Sequence, residues 1–127
     1  MQFLEQLKAL NLPTDKFAIF GSGPMAIRSI RETRDLDIIV TPDLWEILSK
    51  EHAASPDKFG CIQIGDIEIY NHWGVWFQNM TELINEADVI DGLKYVKLER
   101  VLEWKKAFNR EKDKKDIELI NNFLKNE

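Results

Sequence analysis

The chain has 127 residues, a formal net charge of −5, 44% hydrophobic and 31% charged residues, and a single cysteine, Cys61. That is about one domain of ordinary globular composition, able to bury a core without cross-links, and one cysteine excludes an internal disulfide. The acidic balance argues against a general nucleic-acid binder, no run approaches the ~20 apolar residues of a membrane span, and the opening MQFLEQLKALNLP lacks the organisation of a signal peptide, so the expected setting is the reducing cytoplasm.

In chain order, Phe3 to Leu10 carries Phe3, Leu4, Leu7 and Leu10 on one helical stripe, and Pro13 ends it. Lys16 to Phe20 (KFAIF) is a short apolar run cut off by glycine, the signature of a buried strand. Gly21-Ser22-Gly23 forms the turn after it. Pro24 suits the first turn of a helix, where its missing N–H costs nothing, and that helix is expected to run to about Ile30. Asp35 to Val40 (DLDIIV) is a second strand. Asp43 is a candidate N-cap for a helix over Leu44 to His52. Ser55 to Lys58 reads as a loop. "FGCIQIGDIEIY" alternates about Gly65-Asp66, with Ile62 and Ile64 before the turn and Ile67 and Ile69 after it, which predicts a hairpin. A short helix is expected to start at Thr81. Leu98, Val101, Leu102, Lys105 and Phe108 then share one helical stripe, and Ile117, Ile120 and Leu124 another. The expected fold class is α+β, or mixed α/β. It comprises one unit with a small mixed sheet and flanking helices, a core over about 14–80 and a helical part over about 81–127.

Side chains alternate along a strand, so Asp35 and Asp37 point to one face while Leu36 and Ile38 point to the other. Two carboxylates about 4 Å apart repel by about 4 kcal/mol at an effective dielectric near 20. Solvent, a raised pKa or a cation must offset that. Hard divalent ions such as Mg²⁺ prefer carboxylate oxygens and substrate phosphates, so D-x-D on a strand is a candidate Mg²⁺ site, against the alternative of two exposed edge aspartates. The glycine loop bears on the choice. Gly21, Ser22 and Gly23 lie between a strand and a helix start, where backbone N–H groups can turn toward a phosphate; the alternative is a plain strand-to-helix turn. A third acid would complete a two-metal centre. If the hairpin strand pairs beside the D-x-D strand, Glu68 joins the acidic face; Asp66 competes but sits in the turn, where Asp is common for local reasons.

Positive charge gathers between Lys94 and Lys115, where nine basic residues meet four acidic ones, a local +5 against −10 elsewhere. This stretch reads either as a solvated helix surface or as a cationic wall facing polyphosphate. Asp113 can N-cap the last helix with Asp116 in its first turn. Arg28, Arg31 and Arg34 recur every three residues, and Arg28 is the nearest of them to the presumed pocket. His52 and His72 have no partner at ligand spacing, Trp73 and Trp76 read as core or pocket walls, and Cys61 as buried.

Together Phe20, Gly21 and Ser22, then Asp35 and Asp37, then Glu68 resemble the signature of the nucleotidyltransferase superfamily of the DNA polymerase beta type. The stretch "KKAFNREKDKKDIELI" resembles the tail of small bacterial members, through Lys105 or Lys106, Arg110, Lys112, Asp113 and Asp116. The resemblance covers roughly residues 17–120. It implies a nucleotidyltransferase-like fold with C-terminal helices, and transfer of a nucleoside monophosphate from a nucleoside triphosphate, with ATP expected, to an acceptor hydroxyl. It further implies that Asp35, Asp37 and Glu68 hold two Mg²⁺ ions. Gly21, Ser22 and Gly23 would cradle the triphosphate, with Arg28, Lys105, Arg110 and Lys112 toward its phosphates. The third acid is usually Asp, so Glu68 departs from the pattern. The alternative is a non-catalytic nucleotide-binding or antitoxin-type module of the same fold, partnered by a protein or toxin; a protein partner could also hold the acceptor.

Overall fold

A computed structural model describes residues 3–54 and 60–126. The expected loop at Ser55 to Lys58 lies outside the described residues. Among the described residues six helices and six strands follow in the order α1 (Leu4–Ala9), β1 (Phe17–Phe20), α2 (Gly23–Ile27), β2 (Leu36–Val40), α3 (Pro42–Glu51), β3 (Ile62–Ile64), β4 (Ile67–Tyr70), α4 (Met80–Glu86), β5 (Asp88–Ile90), β6 (Leu93–Tyr95), α5 (Leu98–Phe108) and α6 (Glu111–Lys125). The fold is α+β, as its sequence implies.

All strands join one mixed sheet in the order β3-β4-β2-β1-β6-β5. β1 and β2 are antiparallel, β2 and β4 parallel, β1 and β6 parallel, and the two outer pairs are antiparallel hairpins. Helices cover both faces. α1 and α3 bring Phe3, Leu7, Leu44 and Leu48 onto Phe17, Ile19, Leu36, Ile38, Val40, Ile67 and Ile69. On the other face α4, α5 and α6 bring Met80, Leu83, Ile84, Leu98, Val101, Trp104 and Ile120 onto Ala18, Phe20 and Ile39. The central strands β1 and β2 are therefore covered on both sides. This accounts for their near-continuous apolar runs, KFAIF and LDIIV, in place of a half-polar alternation. Asp37 is the one carboxylate in β2.

Several boundaries differ from expectation. α2 stops at Ile27 and does not continue to Ile30, because Ser29 adopts a left-handed conformation (φ 60). The Ile30 N–H then reaches the Met25 carbonyl and the Ser29 N–H the Ala26 carbonyl, a Schellman closure with serine where glycine is usual. α3 begins at Pro42 with Thr41 at its N-cap, so Asp43 lies in the first turn, where it accepts from the Thr41 hydroxyl and pairs with Lys16 at 2.6 Å. α4 starts at Met80, one residue before Thr81, and is capped by Asn79, whose side chain accepts the Glu82 N–H at 3.0 Å.

The larger correction concerns the segment expected to be wholly helical from about 81 to 127. It contains the hairpin β5–β6, turning at Asp91-Gly92, both in positive φ. Asp-Gly between apolar residues is a strong hairpin signal, and β6 docks on β1 through Ile19 and Tyr95. At the chain end Arg110 occupies the N-cap of α6. Asp113 sits at the third helical position, where it accepts the Arg110 N–H at 3.1 Å, and Asp116 lies beyond the first turn. Neither acid is placed as expected, because Asp113 caps the helix from its third position, accepting the Arg110 N–H, and the helix begins one turn earlier.

Candidate metal centre

The sheet register builds the site. Parallel pairing sets Asp37 beside Glu68, with Leu36 beside Ile67 and Ile38 beside Ile69. The isoleucines and leucine enter the core under α1 and α3, which forces Asp37 and Glu68 to the opposite face. Asp35, at the mouth of β2, completes the group. Each of the three acids offers a carboxylate oxygen, and these atoms lie within 4.8 Å of one another. Asp66, the competing third acid, is engaged elsewhere: its carboxylate accepts from Gln6 Nε2 at 2.9 Å and its N–H donates to Gln6 Oε1 at 3.1 Å.

Asp35 is exposed, whereas Asp37 and Glu68 are half-buried. Burial pushes the Asp37 carboxyl up to about 8, and the charges of Asp35 and Glu68 and a hydrogen bond with Glu68 push the same way. Asp37 Oδ1 is buried without a hydrogen-bond partner. A buried carboxylate oxygen lacking any donor is costly unless something positive meets it. Tyr70 donates its hydroxyl to Glu68 Oε2 at 2.9 Å. Burial, then Asp37 and Glu68, hold that hydroxyl far above its ordinary value, so it stays protonated and remains a donor.

The glycine loop touches the acids. Gly21 follows Phe20, which pairs with Asp37 across β1 and β2, and has φ +61. A Cβ there would lie 2.5 Å from Asp37 Oδ2. Gly23 has a different function: a Cβ would stand 2.2 Å from Ile19 Cγ2, so its bareness lets α2 pack onto β1. Ser22 is half-buried at the N-cap, and its hydroxyl makes no capping hydrogen bond. An aromatic cluster braces this corner. Phe20 stacks on Trp73 at 4.3 Å between ring centroids, Trp73 meets Tyr70 edge-on at 5.2 Å, and Trp104 contacts both Phe20 and Trp73.

The expected phosphate-facing cations are placed differently. Arg28 donates to the Pro24 carbonyl and pairs with Asp88 of β5, both at 2.9 Å. Lys105, 3% exposed, lies between Asp113 at 3.5 Å and Asp116 at 3.0 Å. Arg110 makes two side-chain hydrogen bonds to Asp113, at 2.8 and 2.9 Å, and stacks over Phe108. Burial opposes ionisation of Asp113, but the Arg110 hydrogen bonds and the Lys105 charge hold its carboxyl below the usual range. Arg31 reaches Asp116 at 2.8 Å, tying the segment before β2 to the last helix. These charges serve the fold because each meets an opposite charge within it. Lys112 is exposed on α6.

The fit to a hard divalent cation is good: three carboxylates converge, and one buried oxygen among them lacks a donor. The sequence reasoning missed Tyr70, though its place two residues after Glu68 on one strand puts both on the same face. No helix among the described residues is long and apolar enough to cross a membrane. Comparisons of the chain with protein families, with curated proteins and with solved structures find no match.

Proposed function

We propose that the protein is a Mg²⁺-dependent nucleotidyltransferase that moves a nucleoside monophosphate from a nucleoside triphosphate to an acceptor hydroxyl. The observation that carries the reading is the convergence of Asp35, Asp37 and Glu68 beside the Gly21 turn, with Asp37 Oδ1 buried and unpartnered. Asp35 and Asp37 would hold the metal, with Glu68 completing the set. When bound, Mg²⁺ would neutralise the triphosphate and polarise the reacting oxygens.

The chain's own residues supply the rest. Gly21 lies against Asp37, and the backbone N–H groups of the Gly21-Ser22-Gly23 turn and the Ser22 hydroxyl would meet the β- and γ-phosphates. The acceptor oxygen bonds to the α-phosphorus, the bond from that phosphorus to the bridging oxygen breaks, and pyrophosphate leaves. The acceptor's proton passes to a carboxylate, and Glu68 is the group assigned to take it. The acceptor belongs to a partner molecule, which a protein could provide.

One observation favours a second reading, a binding or antitoxin-type module of the same fold. Arg28, Lys105 and Arg110 are spent on internal ion pairs, which leaves fewer cations to face a triphosphate.

Thermal unfolding with Mg²⁺ and ATP, followed by transfer of labelled nucleotide, tests the proposal. A stabilising shift is expected, lost in Asp35→Asn/Asp37→Asn and kept in Asp66→Asn. An equal shift in the double variant would refute the metal site. A shift without transfer to any acceptor would favour the module.

A further inference from the structure

Glu68 is one methylene longer than aspartate, so its carboxylate has an additional rotatable bond to fix before it can serve as a ligand. The fold supplies a restraint. Tyr70 follows two residues later on β4, on the same face, and its hydroxyl donates to Glu68 Oε2 at 2.9 Å. The ring is itself held: it meets Trp73 edge-on at 5.2 Å and His72 at 6.5 Å, and Trp73 stacks on Phe20, the residue that pairs with Asp37. One aromatic cluster thus sets the position of the tyrosine hydroxyl and of the strand end carrying the glycine turn.

We propose that Tyr70 is a positioning residue for the metal centre: its hydroxyl fixes the rotamer of Glu68 so that the longer acid presents its carboxylate where Asp35 and Asp37 converge. The inference rests on the metal-binding reading of the same site. A carboxylate has two oxygens and about four lone-pair positions, so accepting this hydrogen bond is compatible with binding a cation. Such partners orient ligating carboxylates, and removing them commonly weakens metal binding by about 10- to 100-fold.

The test is Mn²⁺ affinity, measured with the metal alone by electron paramagnetic resonance, for the unaltered chain, Tyr70→Phe, Glu68→Asp and the double variant. Tyr70→Phe keeps the ring, and circular dichroism establishes that it is folded at the temperature used. The expected result is about a tenfold loss of affinity in Tyr70→Phe. Glu68→Asp, whose shorter side chain withdraws from the hydroxyl, also loses affinity. The double variant is no weaker than Glu68→Asp alone, because Tyr70 acts only through Glu68. A purely structural role for Tyr70 would instead give additive losses, and additivity overturns the proposal. Unchanged affinity in Tyr70→Phe, with Asp35→Asn/Asp37→Asn impaired, overturns it while leaving the metal site standing. Equal affinity in the unaltered chain and Asp35→Asn/Asp37→Asn overturns both.

Discussion

Gly21 and Asp37 occupy neighbouring strand ends so closely that a Cβ on the glycine would lie 2.5 Å from Asp37 Oδ2. The turn and the acid are therefore a single structural unit: the glycine adopts φ +61, and the carboxylate fills the space its missing side chain leaves.

Gly21→Ala tests that unit. A side chain in the left-handed region costs roughly 1–2 kcal/mol before any clash is counted. The clash adds to this, since Asp37 is the residue that must give way. The variant is expected to unfold at lower urea concentration and to lose most of its Mg²⁺-dependent thermal shift. A chain that keeps the full shift would show that the Asp37 carboxylate can move without consequence for the metal.

The metal-free protein should become less stable as pH rises from 5 to 8. Asp37 titrates at 3.8 in its ordinary state and at about 8 when folded, so in this window the folded chain binds a proton that the unfolded chain has released. Each pH unit then costs at most about 1.4 kcal/mol. Asp43 behaves oppositely: the hydrogen bond from Lys16, then that from Thr41, lowers it to about 2, so its contribution fades only as pH falls below 3.8 and leaves the window clear. Melting temperatures in a chelator should slope downward with pH, and Asp37→Asn should flatten the slope. Saturating Mg²⁺ should do the same in the unaltered chain, because it favours the ionised carboxylate.

Lys105→Met removes the cation shared by Asp113 and Asp116, both essentially inaccessible, and a loss of about 2 kcal/mol is expected, less than for a fully broken buried pair because Arg110 and Arg31 still meet the two acids. Denaturant unfolding measures this. Metal affinity, taken where the variant is folded, should change little, since Lys105 is paired to α6 and not to the acids of the sheet.

How much of this was legible in the sequence depends on the range over which each feature is determined. β1 and β2 announce themselves as short apolar runs, β1 cut off by a glycine turn, and the β3–β4 hairpin through alternation about Gly65-Asp66, so the shared face of Asp37 and Glu68 followed once β4 was set beside β2. The β5–β6 hairpin was overlooked despite Asp91-Gly92, because strands of three residues are too short to display alternation and Val89 is exposed at the sheet edge. The end of α2 had no mark, since Ser29 does a job usually signalled by glycine. Lys105 was read as facing phosphate, yet its place on the apolar stripe with Leu98 and Val101 was the sign of burial. Its two partners are a helix away, where spacing alone could not assign them.

The parallel register of β2 and β4 also bears on the order of events in folding. Residues 37 and 68 cannot meet through a tight turn; they join only after α3 and the β3–β4 hairpin have closed the crossover, which makes their contact non-local. The acids are therefore expected to be brought together late, near the native side of the barrier. A cation that binds only the assembled sheet should leave the refolding rate nearly unchanged and slow unfolding, so that Mg²⁺ appears in stopped-flow traces as a longer lifetime of the folded chain.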